Sequence, residues 1–114
     1  MGFQVSTREL GRIIVFDAGG RLTLGAGGTK LRDSVNVFVS SGHKKFLLNL
    51  AGVQFIDSYG IGELVRCYSV IRRMGGEMKL VRVNQSVLDL LQITRLDTLF
   101  DIHSEELIAL RELQ

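Results

Sequence analysis

Asp57-Ser58-Tyr59-Gly60-Ile61-Gly62 sits where a strand pattern hands over to a helix pattern, and the order of those two patterns decides the fold. Upstream, Lys45-Phe46-Leu47-Leu48-Asn49-Leu50 and then Val53-Gln54-Phe55-Ile56 are short, largely apolar and β-prone, the composition of a strand covered on both faces. Downstream, Ile61, Leu64, Val65, Tyr68, Ile71 and Met74 recur at steps of three and four, an apolar stripe with Glu63, Arg66, Arg72 and Arg73 elsewhere on the helix. The stretch therefore predicts a buried strand feeding an amphipathic helix, with Ser58 at the helix N-terminus. The unpaired N–H groups of a first turn and the positive end of its dipole favour an anion there, and phosphate on Ser58 would be such an anion. The same Asp57-Ser58 pair also reads as an ordinary N-cap, worth about 1 kcal/mol to a helix whatever the protein does.

Outward from this junction the chain alternates strand and helix, with neither an internal repeat nor a linker, which indicates α/β architecture. Phe3, Val5 and Thr7 alternate with Gln4, Ser6 and Arg8, and Ile13-Ile14-Val15-Phe16 follows a turn at Glu9-Leu10-Gly11-Arg12, so the start reads as an antiparallel hairpin on one side of the sheet. A glycine-rich connection from Gly19-Gly20 to Gly25-Ala26-Gly27-Gly28 leads to Thr29, an N-cap for a helix that turns Leu31, Val35, Phe38 and Val39 inward and ends at Gly42. Gly75-Gly76 closes the central helix before a strand at Met78-Lys79-Leu80-Val81-Arg82-Val83. Asn84 or Ser86 then caps a helix that buries Val87, Leu90 and Leu91. Ile93, Leu96, Leu99 and Phe100 continue the apolar character towards a short strand near Asp101-Ile102-His103. Ser104-Glu105-Glu106 opens the last helix, its acidic residues suited to the dipole, with Leu107, Ile108 and Leu110 as its packing face. The expected whole is one domain over residues 1–114 with a mixed sheet and about four helices.

At 114 residues and 46% hydrophobic, the chain suits one compact unit able to fold without metal or disulfide. Its single cysteine, Cys67, cannot form an intramolecular disulfide and reads as helix packing or partial exposure. No run of about 18 apolar residues and no leader pattern stand out, so direct membrane insertion is not expected and a cytoplasmic location is. A net charge of +2 with scattered basic residues is a poor nucleic-acid footprint, and no nucleic-acid partner is expected. The densest region, Arg66, Arg72, Arg73, Lys79 and Arg82, reads as a solvated surface. Met1-Gly2-Phe3-Gln4-Val5-Ser6 and Asn84-Gln85-Ser86 fit acylation and glycosylation templates short enough to arise by chance.

Catalytic patterns are missing. Gly25-Ala26-Gly27-Gly28-Thr29-Lys30 lacks the spacing of a phosphate loop and does not join a strand directly to its helix. His43 and His103 lack neighbours at ligand spacing, so a metal site would need a tertiary meeting that the sequence does not announce. Ser58 is outside any nucleophile elbow, and nothing marks either histidine as its base. No catalytic residue, cofactor or metal is expected.

The segment Asn49-Leu50, then Phe55-Ile56-Asp57-Ser58-Tyr59-Gly60-Ile61-Gly62, and on to Gly75-Gly76-Glu77-Met78-Lys79-Leu80-Val81 closely resembles the STAS domains of bacterial anti-sigma factor antagonists. The resemblance covers about the whole chain and is strongest at its centre. It implies that Ser58 is phosphorylated by a partner that is both anti-sigma factor and GHKL-type serine kinase, with a serine phosphatase as a further partner. Two departures stand out. Tyr59 replaces the second serine often found there, and in Gly20-Arg21-Leu22-Thr23 the family's aspartate is Thr23. Partner specificity is therefore expected to differ.

The resulting expectation is a non-enzymatic binding module that captures an anti-sigma factor and frees the sigma factor. Its docking surface would run from the loop at Leu22 to Gly28, including Thr23, to Asp57, Tyr59, Ile61 and Gly62 around Ser58. Gly60 and Gly62 would leave room for a partner's backbone, although Gly60 would equally serve the turn. The alternatives are a STAS scaffold of a stressosome or transport complex, and a small nucleotide-binding or hydrolytic α/β enzyme.

Overall fold

The computed structural model describes residues 2–25 and 29–114. Met1 and most of the glycine-rich segment, 26–28, lie outside the described residues, and with them parts of the acylation template, the phosphate-loop reading and the proposed docking loop. The order of elements is β1 (Phe3–Leu10), β2 (Ile13–Leu22), α1 (Lys30–Ser40), β3 (Lys45–Ile56), α2 (Ser58–Arg73), β4 (Glu77–Val81), α3 (Gln85–Ile93), a 3₁₀ turn (Leu96–Thr98), β5 (Asp101–His103) and α4 (Glu106–Leu113).

The five strands form one sheet in the order β1-β2-β3-β4-β5. β1 and β2 are the expected antiparallel hairpin, and Leu10 pairs with Ile13, so the turn is the two residues Gly11-Arg12, the second half of the expected four-residue turn. The remaining pairs are parallel, each joined through a helical crossover. Because the strand order never reverses, crossovers of one hand must put α1, α2 and α3 on the same face. The main core lies there, with Ile14, Phe16, Phe46, Leu48 and Leu80 of the sheet buried against Leu31 and Val35 of α1, Leu64 and Ile71 of α2, and Val87 and Leu91 of α3. The Phe16 ring stacks 5.9 Å from that of Phe46 and meets the edge of Phe38 at 5.8 Å.

Of the described helices, α4 alone packs on the other face, with Ala109 and Leu113 on Ile13, Val15, Leu47 and Val81. Of the face expected to pack, Leu110 is partly buried against this cluster, whereas Leu107 and Ile108 are exposed. A helix of 8 residues is about 12 Å long, whereas β3 with its 12 residues runs about 40 Å. One end of this sheet face is thus left open, and Phe55, read as part of a strand buried on both faces, is 58% exposed with the Arg21 guanidinium 5.0 Å from its ring centre.

α4 is fastened at its start by charge. Arg8 of β1 donates to both carboxylate oxygens of Asp17, at 2.6 and 2.9 Å, and to both of Glu106, at 2.7 and 3.1 Å. Asn49 adds a bond to Asp17 at 2.8 Å. The Arg8 guanidinium holds both carboxyls below their usual range, against the opposing effect of partial burial.

Several glycines expected to mark loops lie inside strands. Gly19 and Gly20 belong to β2, where pairing with β3 shifts register on either side of them. A side chain on Gly20, at φ +91°, would overlap the carbonyl oxygen of Gly2, and one on Gly19 would meet the Gln4 amide at 2.8 Å. Close packing of the hairpin excludes side chains here.

The helix ends mostly follow the local signals. Asn84 caps α3 by accepting from the Val87 N–H at 2.9 Å. Thr29 precedes α1 but bonds Asp33 rather than the backbone. Of the α2 stripe, Ile61, Leu64 and Ile71 are buried and Val65 and Tyr68 half-buried, whereas Met74 is exposed because it is the C-cap, beyond the last turn that touches the sheet. Cys67 is fully buried, and burial pushes its thiol up to about 12, an inert packing residue. Ile93 and Leu99 are exposed, so of that apolar stretch only Phe100 is buried and Leu96 partly so.

Two stability measurements follow. Leu64→Ala should lower the unfolding free energy by about 2–5 kcal/mol through lost transfer energy and a cavity, while Met74→Ala should shift it by no more than about 0.5 kcal/mol; equal urea midpoints for the two would place the stripe wrongly. The lowered carboxyls of Asp17 and Glu106 make a stability contribution that is present above their ordinary values of 3.8 and 4.5 and is lost as pH falls through the lower folded values. Arg8→Met should therefore flatten the loss of stability below about pH 4.5, which acid titrations of the midpoint will read.

Candidate functional site

The β3–α2 junction places Ser58 in the open. Asp57 is in extended backbone, φ −116° and ψ −172°, and is the N-cap of α2, its Oδ1 accepting from the Gly60 N–H at 2.9 Å. Its Oδ2 accepts from the Leu24 N–H at 3.2 Å, so one carboxylate both caps the helix and ties down the segment that follows β2. Partial burial opposes ionisation of Asp57, but the N–H groups of Gly60, Leu24 and Tyr59 outweigh it and hold the carboxyl below its usual range. Ser58 is the first helical residue and is exposed, and its hydroxyl makes no hydrogen bond to a described residue.

The junction is pressed against the end of β2. A Cβ on Gly60 would overlap the Leu22 carbonyl oxygen and stand 2.6 Å from Ile56. Gly60 is therefore required by the approach of α2 to β2, and as a buried residue it offers nothing to a partner. Gly62 is half-buried, and its missing side chain would meet only Arg66 Nη1, at 3.2 Å.

The structure divides the expected docking residues into two sets. Thr23, Asp57, Ser58, Tyr59 and Gly62 reach the surface, Ser58 fully and the others in part. Leu22, only 2% exposed, and Ile61, 8% exposed, have their side chains in the core beneath it and cannot offer them to a partner. Leu24, 75% exposed, is the apolar side chain at the rim, and the stacked pair Arg21 and Phe55 lies on the adjoining open end of the sheet. Phe55 escaped the sequence reading because a lone aromatic in an apolar run reads as core.

One turn into α2, Glu63 is fully buried, not on the solvated side where the periodicity put it. It accepts from Arg66 Nη1 at 2.9 Å and Arg32 Nε at 3.3 Å, clasping α1 to α2 behind the junction. The signal that could have found it is Arg32, which stands one position after the buried Leu31 and so flanks the inward face of α1.

Lys79, expected in a solvated basic region, is buried. It pairs with Asp101 and lies 3.8 Å from Glu112, while His103 Nε2 is 3.2 Å from Asp101 and 3.7 Å from Glu112. The tertiary meeting that the sequence did not announce thus exists, with ligand atoms of Asp101, His103 and Glu112 within 4.8 Å of one another. The Lys79 ammonium already supplies the cation between those carboxylates. No helix among the described residues is long and apolar enough to cross a membrane.

This architecture and junction agree with the pattern of the STAS domain, which matches residues 4–107. The chain belongs to the STAS domain family. A Thermotoga neapolitana protein assigned as an anti-sigma factor antagonist is 36% identical over 77 residues, 68% of each chain. The anti-sigma F factor antagonist of Paenibacillus polymyxa is 38% identical over 68 residues, 60% of this chain and 58% of that one. In fold, the crystal structure of a Thermotoga maritima protein of the same assignment superimposes with a TM-score of 0.85 at 24% identity, covering 96% of this chain and 93% of that one.

Two glycines separate packing from docking at this site. Gly60→Ala should destabilise the STAS domain by about 1–3 kcal/mol by overpacking α2 on β2. Gly62→Ala, facing a flexible arginine, should be neutral or gain up to about 1 kcal/mol of helix propensity. Urea unfolding of both variants checks this, and equal losses would remove the close approach as the reason for Gly60.

Proposed function

We propose that this STAS domain is an anti-sigma factor antagonist whose docking is switched off by phosphorylation of Ser58. In this reading the partner is an anti-sigma factor that is also a GHKL-type serine kinase, and a serine phosphatase restores the active form. The observation that carries it is the exposed Ser58 hydroxyl, hydrogen-bonded to no described residue, at the first residue of α2 beside Asp57 and the exposed Leu24. The names of the relatives and the local sequence support the same assignment.

The geometry gives the switch a direction. Asp57 already takes N–H groups of the first turn, those of Tyr59 and Gly60, so few helix donors remain for a phosphate on the next residue. A phosphoserine carries about −1.5 to −2 charges and strong acceptors, and the neighbouring carboxylate repels it. It is therefore turned towards water, away from the helix axis. Nothing in the core has to move. A partner seated on Thr23, Leu24, Asp57, Tyr59 and Gly62 would have to desolvate that dianion, whereas the bare hydroxyl is easily covered. The buried Leu22 and Ile61 hold this surface in place from beneath.

Unmodified protein and Ser58→Ala should bind the cognate anti-sigma factor, and the phosphoprotein at least about tenfold more weakly, a loss of about 1.4 kcal/mol. Incubation of the purified pair with ATP, location of the phosphate by mass spectrometry and titration of both forms will test this. Equal affinities, or phosphate only at other residues, would remove Ser58 as the switch.

A further inference from the structure

At the pole of the sheet opposite Ser58, where β2, β3 and β4 begin, the chain gathers basic side chains that are scattered in sequence. The turn Gly11-Arg12 meets the segment Gly42-His43-Lys44-Lys45 around a cavity of about 420 Å³. Neighbouring hollows of about 370 and 290 Å³ share Arg12 and Lys45 with it on one side and Lys44 and Lys45 on the other, the latter adding Arg72. The three form one groove centred on Lys45. No carboxylate side chain lines the first two hollows, and Glu77 is the single acidic side chain of the third.

These cations differ from the others in their pairing. Arg8, Arg32, Arg66 and Lys79 each face a carboxylate within 3.3 Å or closer. Arg12, Lys45 and Arg72 form no ion pair among the described residues, and Lys44 spends one donor on the Met74 carbonyl at the end of α2. Helix dipoles account for Lys44 and Arg72, which sit at the negative end of α2. They do not account for Arg12, in a hairpin turn, or Lys45, at the start of a strand. Four cations gather against the single carboxylate side chain of Glu77, which stands opposite Lys45 in the sheet register, and a bound anion relieves the repulsion of the excess positive charge.

We propose that this groove binds a small molecule through a diphosphate group. Arg12 and Lys45 would grip one phosphoryl and Lys44 and Arg72 the other, the arginine fork offering paired donors to phosphate oxygens. The size of the hollow is that of a small-ligand site, leaving space beyond an inorganic diphosphate for an organic group. A hollow of this volume, bordered by the exposed glycines Gly11 and Gly42 at positive φ, suits a compact ligand more than a flat lipid surface. The proposal is independent of the role of Ser58, which lies at the other end of β3 and α2.

Inorganic pyrophosphate, orthophosphate and phosphatidylglycerol vesicles should be titrated at about 0.15 M salt, where exposed charges are screened beyond about 8 Å. Pyrophosphate should saturate a single site, bind about tenfold tighter than orthophosphate, and shift the amide resonances of Gly11, Gly42 and Gly76 in the unaltered protein. Arg12→Gln/Lys45→Gln should lose about tenfold in affinity, whereas Arg82→Asn/Arg95→Asn, which removes equal charge from two exposed left-handed positions, should stay within about twofold. Absence of saturation, shifts spread over the surface, equal losses in the two double variants, or binding to vesicles alone would each overturn the proposal. The resonance map decides the matter even if a variant fails to fold.

Discussion

The Asp57 carboxylate is the constraint on which the site depends. It ends β3, starts α2 and fixes the segment after β2, through bonds to Gly60 and Leu24 that come from different parts of the chain. Those bonds work only because α2 can reach the Leu22 carbonyl, and it can because residue 60 has no side chain. Strand order, helix start and loop position are thus set at one point. Ser58 is left over from that arrangement, adjacent to every fixed group and bonded to none of the described ones. A residue so placed can be modified without disturbing the packing that presents it.

The two faces of the sheet follow from topology. Three crossovers of one hand commit α1, α2 and α3 to the same side and leave the other to the short α4. What α4 cannot cover is dealt with by polar and charged groups: Arg8 with Asp17, Glu106 and Asn49 at the start of α4, and Lys79 with Asp101 near its end. Beyond these, the open end with Arg21 and Phe55 adjoins the junction. The exposed Phe55 ring near Ser58 therefore has a topological origin, quite apart from the local helix.

Much of the fold was legible because its signals are local. Asp57 and Asn84 cap their helices, Gly42 and Gly75 stand at φ +92° and +81° where helices end, and the alternation of Phe3 and Val5 predicts the hairpin. Where the reading failed, the deciding partner was distant in sequence. Gly19 and Gly20 read as a loop because nothing nearby announces that Gln4 and Gly2 fill the space above them. Glu63 read as solvated because the periodicity of one helix cannot register two arginines, one of them on another helix. Leu107, Ile108 and Leu110 read as the packing face of α4, yet the sheet beneath accepts Ala109 and Leu113, with Leu110 alone of the three packed beside them. At the candidate site the serine and its cap were readable, but the division between the supporting Leu22 and Ile61 and the exposed Leu24 and Phe55 required the strands to be placed.

The same reasoning bears on how a charge at Ser58 would act. A phosphate at a helix N-terminus is ordinarily welcomed by free N–H groups, and a switch of that kind would stiffen the helix. Here the N-cap carboxylate is already in place, accepting from the Gly60 N–H at 2.9 Å. The added charge then has little to gain from the domain that carries it. In the proposed switch its cost would fall on a partner packed against Thr23, Leu24 and Tyr59, so modification would act on the complex rather than on the fold.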